Sequence, residues 1–170
     1  MDKKIILNMI LILLIGLNFF LCYYHSFGVG SISYGSGDAF GVMMKAIELD
    51  NDFNAFLNSY IFKIFHEITG IDYLNISFYF MPLISCFIIL FIFEILKRES
   101  NFLPILALIF MVTNPYILYY STEPSKALFV IFFVILSFKL FYKYIDSKNK
   151  KNLFISYVLI IFSSLFYHSG

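Results

Sequence analysis

Five long apolar runs constrain the fold of this chain more than any other feature. Each run holds, or nearly holds, the roughly 20 residues that a helix needs to cross the hydrocarbon core of a bilayer. Only 14% of the residues are charged and the mean hydropathy is +0.85, whereas about 25% of the residues in soluble domains are charged. The sequence therefore predicts an all-α polytopic transmembrane bundle, a single membrane domain over residues 1–170, with spans at 5–24, 76–96, 102–121, 125–142 and 153–168.

The Lys and Arg residues form three clusters that predict the orientation of the bundle. They precede the first span and follow the second and fourth: Lys3, Lys4, Lys97, Arg98, Lys143, Lys148, Lys150 and Lys151. The loop 25–75 is acidic instead, with six acids and two bases. Because cytoplasmic loops carry the Lys/Arg excess, we expect a cytoplasmic N-terminus in the plasma membrane and an external loop 25–75. The first run is longer than a signal-peptide core, so it is interpreted as an uncleaved signal-anchor.

The outer loop 25–75 is predicted to be partly helical. Residues 25–37 are rich in Gly and Ser and are expected to be irregular. From Phe40 to Ile47, and again from Phe53 to Ile68, apolar residues recur at helical spacing. These two segments are predicted to be short amphipathic helices that lie in the membrane interface or against the bundle.

Asp38 and Glu123 are the candidate functional residues, because the predicted topology puts both on the outer face. Asp38 follows Gly35-Ser36-Gly37 in the first outer loop, and Glu123 lies in the tight loop between the third and fourth spans. An isolated carboxylate at a membrane surface costs free energy unless it has a partner or serves a function. Two carboxylates that converge therefore predict a site for a cation or a charged substrate. Two simpler interpretations stay open: Asp38 as a helix N-cap, and Glu123 with Lys126 as an interfacial pair whose lysine snorkels outward.

Other polar residues in or near the spans have structural interpretations. Cys22 and Cys86 both lie within spans and are expected to be small core residues. Glu94 and Lys139 lie near the cytoplasmic ends of their spans, where snorkelling is expected. The sequence contains no dinucleotide, P-loop, paired-Cys or His-Glu zinc motif, and nothing in it indicates a nucleic-acid partner.

The topology and the two acids resemble the GT-C superfamily of membrane glycosyltransferases, which includes oligosaccharyltransferases, protein O-mannosyltransferases and lipid A aminoarabinose transferases. In that superfamily an essential Asp lies early in a large first outer loop, and a second acid lies in the short outer loop between spans three and four. Ser36-Gly37-Asp38-Ala39-Phe40 matches the first position, and Tyr120-Ser121-Thr122-Glu123-Pro124 matches the second. Asn114-Pro115-Tyr116 is similar to a stretch common before that loop.

The resemblance implies transfer of a sugar from a polyprenyl-phosphate or polyprenyl-diphosphate donor to an acceptor on the outer face. Asp38 would then orient or deprotonate the acceptor and share a divalent metal ion, Mg or Mn, with Glu123. Lys126 and His168 would contact the phosphate of the donor. Some of these families need a metal and others do not, so the resemblance leaves the cofactor open.

Two other classes compete with the glycosyltransferase. One is a non-catalytic polytopic subunit, or half of a transporter, whose outer acids only cap helices. The other is a polysaccharide polymerase or flippase-like protein, although a basic outer loop would favour it and this loop is acidic. Superfamily members usually have eight or more spans, so the end of the sequence at Gly170 is interpreted as that of an N-terminal fragment with a missing C-terminal half as its partner.

Overall fold

The computed structural model describes residues 3–33, 57–100, 102–114 and 126–168. These residues are almost entirely helical, with no strand among them, as the all-α prediction requires. The helices of this described part are α1 (Lys3–Ser33), α2 (Leu57–Thr69), α3 (Tyr73–Leu96), α4 (Leu103–Thr113), α5 (Lys126–Ser147) and α6 (Lys150–His168).

Three of these helices are long and apolar enough to cross a membrane. The candidate spans are Ile5–Tyr24 in α1, Tyr79–Leu96 in α3 and Ala127–Ser147 in α5. They indicate an integral membrane protein. α4 is a shorter apolar helix in the described range, and the predicted spans 102–121 and 153–168 stay predictions.

The end of α1 corrects one prediction. Residues 25–37 were expected to be irregular, but α1 continues without a break to Ser33. Gly28 and Gly30 each cost a helix about 1 kcal/mol relative to Ala. Extending a helix that is already nucleated is nevertheless cheap, and no proline stops it before Ser33.

α2 occupies most of the second segment for which the sequence predicts an amphipathic helix. Its Phe62 is buried in the core, while Ile64 and Ile68 are exposed. The helix ends at Gly70, which has a φ of +67° and donates its backbone N–H to the carbonyl of His66 at 2.7 Å. Left-handed backbone of this kind is the usual helix stop and favours glycine. The first predicted amphipathic helix, from Phe40 to Ile47, lies outside the described residues.

α1 and α3 are antiparallel. The Cys86 thiol lies 3.8 Å from the carbonyl oxygen of Ile15, and the rings of Tyr23 and Tyr79 stack with centroids 6.0 Å apart. In successive contacts the residue number increases on α1 and decreases on α3. The start of α1 therefore lies beside the end of α3.

α3 and α5, by contrast, are parallel. The rings of Phe80 and Phe129 are 6.1 Å apart, and the carboxylate of Glu94 lies 2.5 Å from the amine of Lys139. The numbers rise together along the two helices, so α3 and α5 begin at the same end of the bundle.

α5 and α6 form an antiparallel hairpin. The rings of Phe133 and Phe162 meet with centroids 5.6 Å apart, and Ser137 contacts Ser156 further along. Only two residues separate the helices. The end of α6 therefore lies beside the start of α5.

Two buried clusters hold these helices together, and α3 contributes to both. One joins α2, α3 and α5 through Phe62, Ile76, Met81, Ile84, Ile88, Leu128 and Phe129. The other joins α1, α3 and α4 through Leu7, Leu11, Ile89, Phe93, Leu108 and Val112. α3 is thus the central helix of the described bundle.

The helix directions give the bundle two distinct ends. The start of α1, the end of α3 and the α5–α6 turn share one end, here called the basic end. It carries, at or near the helix termini, nine of the twelve Lys and Arg residues of the chain: Lys3, Lys4, Lys97, Arg98, Lys139, Lys143, Lys148, Lys150 and Lys151. The opposite end, here called the far end, holds the end of α1 and the starts of α3 and α5. Which end faces the cytoplasm stays a prediction.

Candidate functional site

The two predicted acids, Asp38 and Glu123, lie outside the described residues. Lys126 is the first residue of α5 and His168 is the last residue of α6, so the backbone of both lies at the far end. The side chains of these two residues also lie outside the description. The predicted convergence of the four residues on one pocket therefore stays a prediction.

The predicted metal site also stays a prediction. Within residues 3–33, 57–100, 102–114 and 126–168, no group of three or more His, Cys, Asp or Glu side chains comes together. Asp38 and Glu123, the residues expected to hold Mg or Mn, are not part of that description.

A buried polar cluster joins α1 to α3 at the level of Asn18. The Asn18 side chain is fully buried and donates from Nδ2 to the hydroxyl of Ser85 at 3.1 Å. The same nitrogen lies 3.7 Å from the sulfur of Cys86, and the Cys22 thiol lies 3.8 Å from the Asn18 Oδ1. Neither Cys22 nor Cys86 forms a disulfide, and both are buried, as expected for core residues. Because hydrocarbon offers no partner to an amide, these contacts fix how α1 packs on α3.

A pair of serines joins α5 to α6 in a similar way. The Ser137 hydroxyl donates to the carbonyl of Ser156 at 2.7 Å, and the Ser156 hydroxyl donates to the carbonyl of Ser137 at 3.0 Å. Both side chains are buried. Small residues let the helix backbones approach closely, and the reciprocal bonds set one register for the hairpin.

Glu94 and Lys139 form an ion pair between α3 and α5. The Lys139 amine lies 2.5 Å from the Glu94 carboxylate and 4.3 Å from the centroid of the Phe91 ring. The side chains are 45% and 32% exposed for Glu94 and Lys139, respectively. The sequence predicted that each would snorkel separately. The structure instead pairs them, because the parallel packing of α3 and α5 brings both to the same level.

Arg98 makes a second link between α3 and α5, closer to the basic end. Its guanidinium lies 2.7 Å from the carboxylate of Asp146. It also donates to the backbone carbonyl of Tyr142 at 3.4 Å and lies 5.6 Å from the Tyr142 ring. Two ion pairs and two cation–π contacts thus connect the central helix to α5.

Four exposed lysines lie in or within about one helical turn of the α5–α6 turn, and they lack the ion pairs that Arg98 and Lys139 make. Lys143, Lys148, Lys150 and Lys151 have no carboxylate within 4 Å in the part of the chain that the structure describes. Lys148, the residue after the end of α5, has a φ of +54° and donates its backbone N–H to the carbonyl of Tyr144 at 2.7 Å. This left-handed conformation is one that lysine adopts at a cost.

Sequence reasoning did not single out Asn18, Ser85, Ser137 or Ser156. The available signal was their position, since each is a polar residue inside an apolar run. Polar residues in such runs tend to face the bundle interior and to bond across helices. The pairing of one with another is not readable from the sequence, because it depends on which faces meet.

No protein-family model, no curated protein and no solved structure matches this chain.

Proposed function

We propose that the chain is a membrane glycosyltransferase of the GT-C type, which transfers a sugar from a polyprenyl-phosphate-linked donor to an acceptor outside the cytoplasm. The observation that supports this proposal is the direction of the helices. α1 ends at the far end of the bundle and α5 begins there. Asp38 follows Ser33 by five residues, and Glu123 precedes Lys126 by three. Five residues reach at most about 18 Å, a length that allows both acids to lie at that end.

In the proposed reaction, Asp38, Glu123, Lys126 and His168 have separate roles. Asp38 accepts the proton of the acceptor group as that group attacks the anomeric carbon of the sugar. The bond from the anomeric carbon to the donor phosphate breaks, and the polyprenyl phosphate leaves with the electron pair. The Lys126 amine, with His168, stabilises the charge of that phosphate. Asp38 and Glu123 offer the carboxylate oxygens that Mg and Mn prefer, and the metal would supply charge stabilisation when bound.

A second candidate function is that of a non-catalytic polytopic membrane subunit. The ion pairs Glu94–Lys139 and Arg98–Asp146 favour it, because these charged side chains connect helices. In that case Asp38 and Glu123 only cap helices.

Substitution of Asp38 distinguishes the two functions. Asn caps a helix about as well as Asp but carries no charge. We expect Asp38→Asn to lower sugar transfer about 10²-fold or more, the usual contribution of a general base, with little change in melting temperature. The assay measures release of sugar from labelled polyprenyl-phosphate donors in membranes that contain the full chain, and Glu123→Gln is measured beside it.

Asp72→Asn is the matched control. Asp72 precedes α3 on the same loop, is exposed, and makes no side-chain cap bond. It should keep full activity. Transfer that survives both Asp38→Asn and Glu123→Gln, or wild-type membranes that transfer no sugar from any polyprenyl-linked donor, would exclude the glycosyltransferase and leave the structural subunit.

A further inference from the structure

Positive charge is concentrated around the α5–α6 turn, and the residues that the structure describes do not compensate it. Lys143, Lys148, Lys150 and Lys151, here called the lysine tip, are all exposed. Asp146 is the only acid between residues 140 and 153, and its carboxylate is bound to Arg98 at 2.7 Å. The four lysines therefore have no local counter-charge among the described residues.

The lysine tip continues an exposed apolar surface of the hairpin. Phe138, Phe141 and Ile145 are exposed on α5 and lead toward the tip, and Phe154 is exposed on α6 just beyond it. The surface changes from apolar to basic within one or two helical turns. This change matches the boundary of a bilayer, where the apolar part would contact acyl chains and the basic part would contact headgroups. Lysine is a compact point charge that suits a phosphate group approached from several directions.

We propose that the lysine tip binds the phosphate groups of anionic phospholipids. The apolar surface beside it favours lipid over a soluble acidic protein or a nucleic acid, because only lipid supplies acyl chains and phosphate together. This site lies at the basic end, away from the far end where sugar transfer is proposed, and it does not depend on that activity. The bound lipid would hold the hairpin at one depth in the membrane.

The experiment uses the full chain in nanodiscs, where both faces are accessible. A photoreactive phosphatidylglycerol and a photoreactive phosphatidylcholine are compared at equal concentration, and labelling of the peptide spanning residues 141–155 is quantified. We expect the anionic lipid to label this peptide several-fold more strongly. Removal of a single lysine should lower that preference by at most about fivefold, the ratio given by roughly 1 kcal/mol per basic residue near an anionic surface.

Lys148→Gly is the key variant, because it removes a charge without endangering the fold. Glycine adopts a φ of +54° freely, so the turn should form at least as well as in the wild type. The combination Lys143→Gln, Lys148→Gly, Lys150→Gln and Lys151→Gln should abolish the preference. Lys63→Gln is the control: it removes one positive charge from α2, which does not lie at the basic end, and it should leave the preference for the anionic lipid unchanged.

Three results would overturn the proposal. One is equal labelling by the two lipids. Another is a preference that persists in both Lys148→Gly and the fourfold variant. The third is protection of the tip lysines from an amine reagent by inorganic phosphate or polyglutamate in phosphatidylcholine nanodiscs, but not by phosphatidylglycerol, which would assign the tip to a free anion or an acidic protein.

Discussion

Removing both partners of the Glu94–Lys139 ion pair should lower the free energy of unfolding by less than the sum of the two single losses. Glu94→Gln leaves the Lys139 amine without a counter-charge, and Lys139→Met leaves the Glu94 carboxylate without one. The double variant leaves neither charge and keeps side chains of similar size. A charge without a partner in the membrane costs free energy that a neutral side chain does not.

The structure sets the size of this effect. A charged residue at the centre of a spanning helix costs roughly 2.5–3.5 kcal/mol on insertion scales. Glu94 lies two residues before the end of α3, about 3 Å from that end at 1.5 Å per residue, so its cost is lower. The pair is partly exposed, which limits the ion pair to about 0.2–1 kcal/mol, and the Phe91 contact adds about 0.5–1 kcal/mol. We expect each single variant to lose about 1–2 kcal/mol and the double variant to lose less than their sum by about 1 kcal/mol.

The assay is reversible unfolding in lipid bicelles, followed through helix content, for the wild type and the three variants. The Arg98–Asp146 pair is the control, because its side chains are 37% and 59% exposed and its coupling should fall below about 0.5 kcal/mol. Additive losses at Glu94 and Lys139 would refute the reasoning, since they would mean that the two side chains do not interact in the membrane.

The remaining predictions concern the α1–α3 contact and the orientation. Asn18→Leu should destabilise the bundle by about 0.6 kcal/mol, the average measured for hydrogen bonds between membrane helices, and by no more than about 1.7 kcal/mol. Asn18→Asp should cost more because it buries a charge, and equal losses in the same unfolding assay would contradict that cause. A reporter fused at Asn149 should be cytoplasmic and one at Asp50 external; the reverse result would move both predicted acids to the cytoplasm.

The sequence predicts the candidate spans well because the hydrocarbon core of a bilayer imposes one strong constraint on their backbone. Every backbone polar group must bond within the helix, so length and apolarity suffice to find α1, α3 and α5. The same reasoning fails at Ser33, because hydropathy marks where the apolar run ends, whereas helix formation continues beyond it.

Contacts between helices could not be predicted in this way. Glu94 and Lys139 each have a local interpretation, and only the parallel packing of α3 with α5 shows that they meet. The same holds for Asn18 with Ser85. For the candidate site the sequence predicts residues and roles, but the approach of Asp38 to Glu123 depends on loops outside the described residues.

The parallel packing of α3 and α5 also has a consequence for biosynthesis. Glu94 precedes Lys139 by 45 residues, so at roughly 5–20 residues per second the ribosome completes α3 several seconds before the lysine exists. During that interval the Glu94 carboxylate lacks its Lys139 partner. Because Glu94 lies two residues from the end of α3, its side chain can extend toward the headgroup region in the meantime. A translational pause within α4 would lengthen this interval, so the ion pair between α3 and α5 forms late and its timing depends on the speed of synthesis.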